Sequence, residues 1–138
     1  MHIRNILVGY DESAPARRAL AMAEDLARQY GARMVVVTVL QPLTMAPSEV
    51  MLPTETQIVS ARRALEREAD RMRAEGQRVE IFVEVGEAAR TLLEIGQRLE
   101  VDLTLVGRSG KGAVARLIMG SVTTSLLHST TKPIAVVP

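Results

Sequence analysis

The chain has no cysteine and no tryptophan, one phenylalanine and two tyrosines. Without cysteine there is no disulfide framework, no thiolate nucleophile and no cysteine-based zinc site. The same absence fits a reducing cytosol. Phe82, Tyr10 and Tyr30 are too few for the aromatic platforms on which single-stranded nucleic acid stacks. Neither sign of charge prevails, since 17 Lys and Arg face 16 Asp and Glu. There is accordingly no basic stripe of the kind that reads nucleic acid. No apolar run approaches the length needed to span a bilayer. Met1 to Val8 lead straight into a strand pattern, so no signal peptide is expected. These absences predict a cytoplasmic protein that contacts neither nucleic acid nor membrane. His2 and His128, the only histidines, share no metal-ligand spacing, and no metal site is readable.

What is present is an alternation of two periodicities over 138 residues, the length of one domain covering residues 1–138. Ile3 to Val8 reads as a first strand ending at Gly9. Ser13 caps the following helix and Pro15 sits in its first turn. Ala16, Ala19, Leu20, Ala23, Leu26, Ala27 and Tyr30 recur at helical spacing, Glu24 falls on another face, and Gly31 ends the helix. Met34 to Val39 is a β-branched run with the look of a parallel strand covered on both faces. Gln41 to Pro53 reads as a loop without a legible motif, interrupted by Pro42 and Pro47. A long second helix follows on Ile58, Ala61, Leu65, Ala69 and Met72, its many Arg and Glu read as a solvated face.

Val79 to Val85 alternates as a half-exposed edge strand does. Leu92, Leu93, Gly96 and Leu99 mark a third helix, and Leu103 to Val106 a buried strand ended by Gly107. Gly120 and Ser121 open a fourth helix, and Ile134 to Val137 form the last strand. Strands alternating with helices predict an α/β fold, doubly wound around an open parallel sheet of five strands. The expected strand order is 3-2-1-4-5, Rossmann-like, with helices on both faces.

In such sheets a ligand lies beyond the carboxyl ends of the strands, where the strand order reverses. Two stretches qualify: Gly9, Tyr10 and Asp11 after the first strand, and Gly107, Arg108, Ser109, Gly110 and Lys111 after the fourth. Glycines let backbone N–H groups approach a phosphate closely. A helix opening at Gly120-Ser121 adds free N–H groups, a favourable dipole and a hydroxyl. Arg108 and Lys111 add positive charge. The same glycines equally suit turns, Ser121 a helix cap, Asp11 the positive end of the helix after it, and Val39 the core. The loop is no Walker A motif, because Ala113 and Val114 stand where Lys and Ser/Thr are needed. The turn after the first strand lacks the dinucleotide fingerprint G-x-G-x-x-G.

Gly107-x2-Gly110-x9-Gly120-Ser121 matches the nucleotide motif G-2x-G-9x-G-[S/T] of the ATP-binding universal stress proteins without departure. Ile6 to Asp11 resembles that family's opening strand, Asp102 to Gly107 its fourth strand and Lys132 to Val137 its closing strand. The resemblance covers essentially the whole chain. It implies a fold of the adenine nucleotide α-hydrolase-like kind. It further implies Asp11 and its neighbours against ribose or adenine, and Val39 against adenine. Gly107, Arg108, Gly110, Gly120, Ser121 and Val122 would line the phosphates.

The expected function is therefore binding of ATP, together with Mg²⁺, in a stress-response or signalling module that acts by nucleotide-dependent interaction. No catalytic residue is identified, because fast phosphoryl transfer needs a base or a residue that positions water. At most, weak ATP hydrolysis or autophosphorylation is expected. Two alternatives stand beside this reading. One is a nucleotidyl-transferring enzyme, whose usual motifs S-G-G-x-D-S and H-x-G-H are absent. The other is a nucleotide-free dimeric interaction module. The last strand, Ile134, Ala135, Val136 and Val137, is an uncharged edge in the expected order, which predicts a homodimer through it. A further protein partner is not specified by any motif.

Overall fold

A computed structural model of the chain describes residues 2–108, 126 and 128–138. Five parallel strands form the main sheet: β1 (Asn5–Gly9), β2 (Arg33–Leu40), β5 (Val79–Val85), β6 (Leu103–Gly107) and β7 (Ile134–Val137). Their order is β5-β2-β1-β6-β7. The numbering skips because Gln41 to Pro53 is not the featureless loop its prolines suggested. It carries an antiparallel hairpin of β3 (Leu43–Ala46) and β4 (Glu49–Met51). Pro47 falls in the tight turn between the two strands, where its fixed φ favours reversal. Once the hairpin is set aside, the parallel strands stand in the expected order 3-2-1-4-5.

β1 occupies the centre because its residues serve both faces. Ile6 and Val8 join one apolar cluster with Met34, Val36 and Leu105, and Leu7 joins the other with Val35, Val37 and Val106. All nine side chains except Val106 are fully shielded from solvent. The first cluster is covered by α1 (Ala14–Tyr30) and α2 (Glu55–Ala74), through Ala19, Ala23, Leu65 and Met72. The second is covered by α3 (Ala88–Arg98), through Ala89, Leu92 and Ile95, and by Leu126, which is helical. Burying side chains of this size contributes roughly 1.5–3 kcal/mol each. Continuous apolar strands with helices on both faces are the outcome expected of a parallel sheet.

Helix boundaries follow local chemistry. Ser13 accepts a hydrogen bond from the Ala16 amide, and Gly31 ends α1 in the left-handed region at φ 66°. Thr54 and Gln57 form a reciprocal capping box that starts α2 three residues before Ile58. The Glu87 carboxylate accepts from the Ala89 and Arg90 amides at the start of α3. Along α1, the outward placement of Glu24 is corrected. Its side chain is buried beneath Arg71 of α2, whose guanidinium donates to Glu24 at 2.8 Å and to Glu68 at 2.9 Å. These hydrogen bonds raise the Arg71 pKa further above its already high value. One member of the supposed solvated charge run thus ties the two helices together. Tyr30, read as inward, is half exposed.

The sheet's two described edges differ. β5 pairs only with β2 among the described strands, and Glu80 and Glu84 interrupt its apolar residues. Among the described strands β7 pairs only with β6, and it has no charged residue.

At the amino ends of the strands, Asp102 binds β1 to the start of β6. Its Oδ2 accepts from the amides of Arg4 at 2.8 Å and Asn5 at 3.0 Å. Burial works to raise the carboxyl pKa, but the two amides, with Lys132 and Arg4, outweigh it and hold the group below its ordinary value. A depressed folded pKa stabilises above the unfolded value near 4 and is lost as pH falls through the folded one. Asp102→Asn should therefore cost about 1 kcal/mol at pH 7. Urea unfolding at pH 7 and pH 3 should show the gap between the two proteins closing in acid. A gap of equal size at both pH values would show that the charge on Asp102 has no part in it.

Gly107 ends β6 against the first turn of α1. A Cβ there would lie 2.7 Å from the Ala16 nitrogen and 2.8 Å from the Pro15 carbonyl carbon, both backbone atoms. Gly107→Ala should cost about 1–3 kcal/mol by overpacking. Thermal unfolding of the variant checks it, and an unshifted midpoint would refute the contact.

Candidate functional site

The carboxyl ends of β1 and β6 are neighbours. Gly9 pairs with Val106, so the turns after the two strands open side by side where the strand order reverses. Gly9 is itself enclosed: a Cβ on it would come within 3.2 Å of both Leu92 and Val106 side chains. Past Gly9 the chain turns sharply. Tyr10 donates its amide to the Val37 carbonyl at 2.8 Å and accepts the Thr38 hydroxyl on its own carbonyl at 2.7 Å. The Tyr10 ring points into the core, and burial pushes its hydroxyl pKa up. Asp11 Oδ1 accepts from the Ser13 amide at 3.0 Å, and Glu12 lies in the left-handed region at φ 65°. A non-glycine residue there is uncommon and mildly strained. The turn is thus held by its own side chains, and it presents Asp11 and Glu12 rather than Tyr10 outward.

Asp11 and Glu12 line a cavity of about 500 Å³. Its floor is the end of β2, Thr38, Val39 and Leu40. One wall is the first part of α2, with Thr56, Ser60, Ala61 and Ala64. The other is the hairpin and its exit, with Leu43, Met51 and Leu52. The volume and the mixture of apolar walls with a few polar groups are those of a small-molecule site. Among the sequence-predicted site residues, Asp11 and Val39 are brought together here. Gly9 and Tyr10 lie behind them as packing and backbone support, outside the lining.

Gly107 and Arg108 stand at the end of β6, one strand away. The Arg108 amide donates to the Val137 carbonyl at 2.6 Å, which closes the strand end, and its side chain is exposed. Ser109, Gly110, Lys111, Gly120, Ser121 and Val122 lie outside the described residues. Among the described residues, no group of three His, Asp or Glu could hold a metal ion. No helix among them is long and apolar enough to cross a membrane.

Sequence reasoning missed the α2 and hairpin walls. The capping box Thr54-x-x-Gln57 was a signal that α2 begins early enough to bring Thr56 and Ser60 to the strand ends. The hairpin offered only a short run of apolar residues on either side of a proline.

The chain matches the model of the universal stress protein family over residues 2–138. A universal stress protein of Thermus aquaticus is 31% identical over 140 residues, covering 97% of this chain and 98% of the relative. Another, from Mycolicibacterium smegmatis, is 32% identical over 141 residues, covering 96% of this chain. The chain spans about half of that longer relative, 47% of its length. Among solved structures, universal stress protein UspA from Lactobacillus plantarum superposes with a TM-score of 0.82 at 18% identity, covering 100% and 99% of the two chains. A universal stress protein in complex with cAMP gives 0.74 at 22% identity, covering 99% and 98%. One from Archaeoglobus fulgidus in complex with dAMP gives 0.73 at 21% identity, covering both chains fully, 100% and 100%. The sheet order, the reversal between β1 and β6 and the match along the whole sequence converge: this chain belongs to the universal stress protein family.

Proposed function

We propose that this chain binds ATP, accompanied by Mg²⁺, and acts as a cytoplasmic stress-response or signalling module whose interactions depend on the nucleotide. The observation that carries the reading is the intact spacing Gly107-x2-Gly110-x9-Gly120-Ser121, leaving a strand end next to the cavity of Asp11 and Val39. Glycines beside a strand end give a phosphate access to backbone N–H groups. The cavity is large enough for the nucleoside part. Relatives of the same fold were solved with cAMP and dAMP, adenine nucleotides both, which supports an adenine ligand here.

In this reading Gly107, Arg108, Ser109, Gly110, Lys111, Gly120, Ser121 and Val122 surround the phosphates. Asp11 approaches the ribose and Val39 the base, with Gly9 and Tyr10 shaping the turn that carries Asp11. Mg²⁺ keeps several waters and is commonly held by one or two carboxylates plus phosphates. The Asp11 and Glu12 carboxylates at the cavity rim suit an ion that arrives on the nucleotide better than one caged by protein alone. The ion would neutralise phosphate charge.

Gly120→Asp should place a side chain and a negative charge at the phosphates, opposing binding by bulk and by repulsion. Titration calorimetry should show ATP affinity reduced at least tenfold. Unchanged affinity in a folded variant would show the phosphates to be elsewhere.

A homodimer through β7 accompanies this reading. Ile134, Ala135 and Val136 are only half-buried, and the outer backbone edge of β7 has no strand beside it among the described residues. A two-fold axis would let two copies pair edge to edge, each satisfying the other's N–H and C=O groups. Val136→Lys should convert a dimer to a folded monomer in sedimentation. A monomer for the unmodified protein at high concentration would refute the pairing.

A further inference from the structure

The hairpin of β3 and β4 exposes apolar side chains that its own packing does not explain. Leu43, Met51 and Leu52 are 59%, 53% and 64% exposed. Leu43 and Met51 are direct cross-strand partners and so share one face of the hairpin. That face is the one lining the cavity of Asp11 and Val39, and Leu52 lines it too. Thr44 and Val50, the next pair along, lie on the opposite face and do not line it.

The segment is tied at both ends. Before the hairpin, the Leu40 carbonyl accepts from the Gly86 amide, and Gln41 Oε1 accepts from the Ala88 amide at 3.0 Å. After it, the Thr54 capping box fixes the start of α2. A hairpin anchored on both sides holds its apolar face over the strand ends without first having to be ordered. Clustered exposed apolar side chains mark a ligand groove or a contact surface. Here the face opens into a cavity rather than onto a flat patch.

We propose that this hairpin is a nucleobase-binding wall. A planar, purine-sized base seats with Leu43, Met51 and Leu52 on one side and Val39, Ala61 and Ala64 on the other. The hydroxyls of Thr56 and Ser60, which make no hydrogen bond among the described residues, stand on the same wall as the two alanines and meet the polar edge of the base. The assignment rests on the nucleotide reading above and adds to it the element that recognises the base. An apolar slot gains affinity from the area that it and the base remove from water. A few polar groups within it fix orientation.

The test is the double variant Leu43→Asn/Met51→Asn, assayed by calorimetry with ATP and with adenosine. Both side chains are largely exposed, so the thermal midpoint should hardly move. Affinity for ATP and for adenosine should fall together, by about tenfold. The control Val50→Asn, on the opposite face, should leave both unchanged. Unchanged affinities in the double variant would overturn the base-binding role while leaving the nucleotide reading intact. An equal loss in Val50→Asn would also overturn it, because the effect would not belong to the cavity face. Failure of the unmodified protein to bind ATP would overturn both readings together.

Discussion

Gly107 meets the first turn of α1 with no room for a side chain, and the arrangement of the strand ends depends on that approach. Pro15 and Ala16 press their backbone against the end of β6. The turn that leaves β1 is therefore pinned between the strand it comes from and the strand beside it. Moving α1 outward by the width of a methyl group would carry Ser13, Glu12 and Asp11 with it. The same contact lies where β1 and β6 run side by side, at the reversal of strand order. Such a reversal opens a crevice. A glycine that reads in sequence as part of a phosphate loop thus has a packing duty of its own.

The parallel sheet was legible because its signals are local and strong. The β-branched run Met34 to Val39 has the look of a strand covered on both faces, and Ser13, Pro15 and Gly31 bracket a helix by backbone chemistry alone. Where the reading went astray, the deciding partner was distant in sequence. Glu24 breaks the apolar stripe of α1, and nothing near it announces that Arg71, 47 residues on, will neutralise it. In α3 the buried residues are Ala89, Leu92 and Ile95, while Leu93 and Leu99 only flank the core. Its N-cap is a glutamate, a residue seldom found there, so the helical phase was hard to fix.

The site divides in the same way. Asp11 could be named because a fold of this order puts ligands at strand carboxyl ends, and Val39 because the resemblance to the universal stress proteins implies it. Tyr10 could not be separated from them by sequence, since adjacent residues in a turn point in unrelated directions, and its ring went to the core. The walls supplied by Thr56, Ser60 and the hairpin come from segments whose relation to β1 exists only after folding. A short apolar run flanked by prolines has no periodicity to mark it as a strand, and a hairpin becomes visible only through its partner.

The unequal edges of the sheet bear on how many copies can join. A sheet with two bare edges invites end-to-end addition and can grow into an open ribbon. Here one edge, β5, carries Glu80 and Glu84, and the Arg33 guanidinium lies 3.7 Å from Glu80. A second β5 laid against it would bring like charges together and compete for that arginine. Only the β7 side is free of such a deterrent. Strand addition is thus discouraged by charge at the β5 edge, whereas β7 itself carries no charged residue to oppose it.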